Sequence, residues 1–182
     1  LASNRVGNFV VFGMLGVLGF ILLVIVEPYR MDRIKGWLDP WSDPSDTGYQ
    51  VIQSLFAVAS GGLFGLGIGQ KTFIPESYND IIFAIICEEL GLVGAIVVIL
   101  LFALLIWRGT KIAMTAKDKY SSYMATGITT MIAVQVIINI SVVTNSIPNT
   151  GMPMPFISYG GTSLVVMMAS MGLLLNISRD CK

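Results

Sequence analysis

Four carboxylates, Glu76, Asp80, Glu88 and Glu89, stand along one stretch, FIPESYNDIIFAIICEELGLVG at 73–94. A carboxylate at the edge of an apolar helix can act as a general base. One inside the bilayer must face protein or water and be paired or neutral. Pro75 suits the first turn of a helix and Glu76 favours its positive end, so Glu76 reads as a cap or as a ligand contact. Asp80 follows one turn later, shallow enough for a substrate to reach. Glu88 and Glu89 lie roughly 12 to 14 Å deeper at 1.5 Å per residue, and Glu89 points almost opposite to Asp80. The four therefore form no single cluster. Glu88 and Glu89 read as structural groups that tie helix ends together through hydrogen bonds.

Two further stretches could bind an anion. EPYRMDRIKGW at 27–37 brings together Arg30, Arg33 and Lys35. Glu27, Asp32 and Asp39 could neutralise them; alternatively they meet an anionic ligand at the outer leaflet, where bidentate arginines would suit a lipid diphosphate. PNTGMPMPFISYGGTS at 148–163 makes a proline-rich turn, after which Ser158, Gly160, Gly161, Thr162 and Ser163 open a helix. Small residues there let helices pack closely. A helix start bare of side chains also receives anions.

The elements that position these groups are membrane helices. The chain is 54% hydrophobic and 12% charged, against about a quarter charged in soluble domains. With no histidine and zero net charge, histidine-based metal or nucleophile sites and a nucleic-acid partner are excluded. Cys87 and Cys181 make neither a disulfide framework nor a CxxC pair. Four runs are long enough to span, at about 20 apolar residues each: 6–26, 81–107, 124–147 and 156–177. The first lacks a basic n-region and a cleavage site, so it reads as a span rather than a signal peptide. The uncharged run 48–70 is rejected as a span, because its glycines would leave backbone groups unsatisfied in hydrocarbon.

Arg108, Lys111, Lys117 and Lys119 place the loop 108–123 in the cytoplasm by the positive-inside rule. By parity both termini are cytoplasmic and the long segment 27–80 is extracytoplasmic. That segment is too apolar for disorder and is expected to fold back on the membrane as short half-embedded helices. The expectation is a single all-α polytopic membrane domain over 1–182.

Taken together, EPYRMDRIKGWLDPWSDPSDTGYQVIQSLFAVASGGLFGLGIG, PESYNDIIFAIICEELGLVGA and PFISYGGTSLVVMMAS resemble the C-terminal part of FtsW/RodA/SpoVE proteins. This is the SEDS family of bacterial cell-wall polymerases. The resemblance runs from about residue 9 to 180 and covers the last four of the family's ten membrane helices, so the chain reads as a fragment. EPYRMDR and DPWSDP favour the division and sporulation branch.

The resemblance implies a peptidoglycan glycosyltransferase of the bacterial cytoplasmic membrane that joins lipid II units at its outer face, with a class B penicillin-binding transpeptidase as partner. PESYNDIIF matches the motif that carries the family's catalytic aspartate, which gives Asp80. Arg30, Arg33 and Lys35, with room for a divalent cation, would offset the charge of the leaving diphosphate; no other cofactor is implied. Glu76, Ser158, Gly160 and Gly161 are further candidates for substrate contact. The chain departs from the family pattern at the short connection 69–75, and at PNTG, where Thr150 stands in place of a lysine found in some division proteins. The rival reading is a flippase for the same precursor. It would need a polar path, for which Glu88, Glu89, Gln135, Asn139 and Asn145 are available.

Overall fold

The computed structural model describes residues 11–16, 18–19, 28–46, 48–69 and 79–180. Their regular structure is helical, with no strand among the described residues. Where one membrane domain is expected, the chain divides into two compact units, Leu1–Tyr49 and Gln50–Lys182.

In the first unit, residues 11–16 and 18–19 are helical and fall within the expected span 6–26. Helix α1 covers Pro28–Leu38, with a proline at its start, where a missing N–H costs nothing. The chain then turns through a 3-10 helix at Pro40–Ser42. The Asp39 N–H donates to the Lys35 carbonyl at 2.9 Å, and Ser42 Oγ donates to the Asp39 carbonyl at 2.7 Å. Gly48 is required here, because a Cβ would collide with the Pro40 carbonyl.

The second unit holds α2 (Tyr49–Ser60) from its second residue onward, together with α3 (Ile82–Thr115), α4 (Lys119–Val143) and α5 (Gly161–Asp180). The last three are long and apolar enough to cross a membrane. With twelve residues, α2 reaches only about 18 Å, so the run 48–70 does not form a spanning helix.

The helix ends are offset from the expected spans. Helix α3 continues past Trp107 through RGTKIAMT, where its final turns are tied down. The Lys111 ammonium lies 5.9 Å from the centre of the Trp107 ring. Ser122 Oγ, from the next helix, donates to the Ala113 carbonyl at 2.7 Å and so serves one of the carbonyls left over at the end of α3. Helix α4 begins at Lys119 rather than near 124, because Asp118 caps it by accepting the Ser121 N–H at 2.8 Å. That contact holds the Asp118 carboxyl below its ordinary value. Helix α5 starts at Gly161 rather than 156, since Pro153, Pro155 and a positive φ of 65° at Phe156 keep the chain out of helical geometry.

The core lies between α3 and α4. Phe83, Ala84, Ile85, Cys87 and Phe102 pack with Ile132, Val136 and Val143, and Met154 and Met167 close over them. At Gly109 the helices come so close that a Cβ would strike Thr129 Oγ1. This is the small-residue contact that drives helix association where lipid removes the hydrophobic drive. Ala113, Ala125, Leu174 and Ile177 form a second cluster.

Helix α3 is broken at Gly91, where φ is 67° and ψ is −166°. A break would orphan the N–H groups of Leu92 and Val93 and the carbonyls of Glu88 and Glu89. Segment 62–67 replaces the missing rungs. Leu92 and Val93 donate to the carbonyls of Gly62 and Leu63 at 2.9 and 3.2 Å. Leu66 and Gly67 donate to the carbonyls of Glu88 and Glu89 at 2.9 and 3.1 Å. Irregular backbone at this depth, about 14 Å along α3, is thus satisfied by protein.

Candidate active site

Asp80 sits in a 3-10 turn, Asn79–Ile81, immediately before α3. Its neighbour Ile81 is 2% exposed and anchors the turn in the core, while Asp80 itself is half-buried. The turn thus offers an acid at the lip of an apolar helix on a fixed backbone.

Two contacts build the surroundings. Asn139, near the end of α4, donates through Nδ2 to the carbonyls of Asp80 at 2.7 Å and Met152 at 2.9 Å. Asn149 Nδ2 donates to Gln50 Oε1 at 2.7 Å, joining the segment after α4 to the start of α2. Between them is a cavity of about 10 Å³ lined by Gln50, Val51, Ser54, Ile81, Val142 and Asn149. It is at the lower limit for one water molecule. Ile81, next to Asp80, thus packs there with little free space around it. Sequence reasoning did not single out Gln50 or Asn149, and nothing local to either residue marks the pairing.

The other candidates are distributed as follows. Ser158 is 6% exposed; its Oγ accepts the Met154 N–H at 2.8 Å and its own N–H donates to the Met154 carbonyl at 3.2 Å. Its hydroxyl serves the turn. The Gly160 carbonyl accepts from Ser163 Oγ at 2.9 Å, and exposed Gly161 begins α5. Glu88 is fully buried, and Glu89 Oε1 accepts the Gly69 N–H at 3.2 Å. Glu76 lies outside the described residues. In the first unit, Arg33 is half-buried on α1 and Lys35 pairs with Asp32 at 3.4 Å, with side chains 67% and 48% exposed. Such an exposed pair contributes at most about 1 kcal/mol. Arg30 belongs to α1 by its backbone, and its side chain lies outside the described residues. Among the described residues no three His, Cys, Asp or Glu side chains gather.

The sequence profile of the FtsW/RodA/SpoVE cell cycle proteins matches residues 1–182. Stage V sporulation protein E of Bacillus subtilis is 51% identical over 183 residues, covering 98% of this chain and 50% of that protein. The probable peptidoglycan glycosyltransferase FtsW of Coxiella burnetii is 44% identical over 187 residues, covering 99% of this chain and 50% of that protein. The chain spans about half the length of the curated relatives it matches. Among solved structures, a chain from a peptidoglycan synthase complex, described as coordinating polymerization and crosslinking, superposes with a TM-score of 0.68 at 32% identity. That match covers 92% of this chain and 48% of the other. An aspartate-to-alanine variant of the rod shape determining protein RodA of Thermus thermophilus gives a TM-score of 0.56 at 31% identity, over 70% of this chain and 39% of that one. With a profile that matches end to end and relatives that align along nearly all of its length, this multi-pass membrane chain belongs to the FtsW/RodA/SpoVE family.

Proposed function

We propose that this chain carries the catalytic aspartate, a general base, of a peptidoglycan glycosyltransferase that polymerises lipid II at the outer face of the bacterial cytoplasmic membrane, in division or sporulation. The observation that carries this reading is Asp80, a half-buried acid on a core-anchored turn at the end of a spanning helix, in a chain whose relatives include proteins named probable peptidoglycan glycosyltransferase. Asp80 takes the proton from the acceptor sugar 4-hydroxyl as that oxygen attacks the donor anomeric carbon. The carbon inverts, and undecaprenyl diphosphate leaves with the bonding pair. By residue type, Arg30, Arg33 and Lys35 are the candidates to offset its charge, since arginine can bind a diphosphate bidentately.

In this reading the outer face is the side of Asp80, and the basic end of α3 with the start of α4 is cytoplasmic, as are both termini. A class B penicillin-binding transpeptidase cross-links the product; the solved neighbour that coordinates polymerization and crosslinking supports such a partner.

The flippase reading fits less well. Of the polar side chains a transport path would use, Asn139 is spent on two backbone carbonyls and Glu89 accepts a backbone N–H. The test is polymerisation of purified lipid II by the full-length protein and its Asp80→Asn variant. Loss of a general base costs on the order of 10²-fold or more, so near-native glycan synthesis by Asp80→Asn would overturn the assignment.

A further inference from the structure

Asn139 is 1% exposed, and its amide is used in one direction only. Both Nδ2 protons go to backbone carbonyls, those of Asp80 and Met152, while Oδ1 finds no partner among the described residues. Leaving a buried acceptor unmet costs stability, so packing alone does not explain an amide here. What an apolar side chain cannot do is hold two carbonyls from distant segments. Asp80 lies 59 residues from Asn139 and Met152 lies 13 away, and one nitrogen within 2.9 Å of both fixes the turn of Asp80 against the segment that follows α4.

We infer that Asn139 is a positioning residue for Asp80: its amide nitrogen clamps the Asp80 backbone and so sets where the carboxylate meets the acceptor hydroxyl. The inference rests on the reading of Asp80 as the catalytic base. The turn also has an anchor independent of the amide, since Ile81 is 2% exposed and lies beside Val51 and Val142.

The experiment uses the full-length protein with lipid II as substrate and compares Asn139→Leu and Asn139→Ala with Asp80→Asn. Leucine keeps the volume but removes both donors and leaves the Asp80 and Met152 carbonyls unmet, so Asn139→Leu should unfold somewhat earlier than the native protein while remaining folded under assay conditions. Its kcat should nonetheless fall on the order of 10²-fold, the effect of misplacing a reacting group by about 1 Å. KM for lipid II should stay native, because no contact to bound substrate has been removed. Asn139→Ala should lose kcat to the same degree while unfolding earlier still. Native kcat in folded Asn139→Leu, with only Asn139→Ala impaired, would make Asn139 a packing residue and overturn the proposal. A raised KM at native kcat would overturn it as well. The two readings fail separately: an active Asp80→Asn protein removes the base itself, whereas an inactive Asp80→Asn protein beside a fully active Asn139→Leu protein removes only the clamp.

Discussion

Gly65 and Gly91 meet backbone to backbone. A Cβ on Gly91 would strike the Gly65 nitrogen and the Leu63 carbonyl, and a Cβ on Gly65 would strike the Glu89 carbonyl. Both have positive φ, 79° and 67°. The contact lets segment 62–67 supply the hydrogen bonds that α3 lacks at its break. Gly91→Ala and Gly65→Ala should each destabilise the protein by about 2–5 kcal/mol, combining backbone strain with overpacking. Gly62 provides the control. It has positive φ but open space around its Cβ position, so Gly62→Ala should cost only about 1–2 kcal/mol. Unfolding midpoints of the three variants check the order, and equal losses would contradict it.

Glu89 acts in the same joint through its carboxylate, which accepts the Gly69 N–H. Glu89→Gln retains an acceptor oxygen and should be nearly neutral. Glu89→Ala should cost about 1 kcal/mol, the net worth of one hydrogen bond, and should increase amide exchange at Gly69 relative to Glu89→Gln.

Asp118 gives α4 a pH-dependent cap. The Ser121 N–H is the main cause that holds its carboxyl below the ordinary value. A depressed folded-state value means the cap's stabilisation is fully present above the unfolded value of about 3.9 and is lost as pH falls through the lower folded value. The stability difference between native protein and Asp118→Asn should therefore be constant near neutral pH and shrink in acid. Thermal melts across that range check the sign, and a difference that grew in acid would be inconsistent with the cap.

On α1, Lys35 and Asp32 form an exposed pair, so Asp32→Asn should leave stability almost unchanged. If the α1 cations bind the lipid diphosphate, Lys35→Arg is mild, Arg33→Lys is measurably worse and Arg33→Ala worse still. Each lost charge-assisted bond weakens lipid II binding by roughly 1.5–3 kcal/mol. Native lipid II affinity across all three variants, with lowered melting temperature for Arg33→Ala, would assign the cations to folding alone.

Sidedness is checked with single cysteines in a background lacking Cys87 and Cys181. Tyr159, 88% exposed before α5, and exposed Thr115, at the end of α3, should lie on opposite faces. In intact cells an impermeant thiol reagent should label Tyr159→Cys and spare Thr115→Cys. The reverse pattern would invert the topology.

The apolar runs alone identified the three long helices, because a span needs only length and composition. The glycines of 48–70 likewise ruled out a further span. Resemblance in PESYNDIIF pointed to Asp80. Helix ends were less legible, since the Asp118 cap and the Ser122 bond to Ala113 depend on how two helices meet. Gly65 and Gly91 look in sequence like simple helix breakers. Only the fold shows that the break in α3 and the segment crossing it complete each other's hydrogen bonds. Asn139 was legible as a polar residue in a spanning helix, where a transport path was one explanation. Its bonds to Asp80 and Met152 were decided by the tertiary structure, because a contact made across 59 residues leaves no period, cap or turn signal in the chain that makes it.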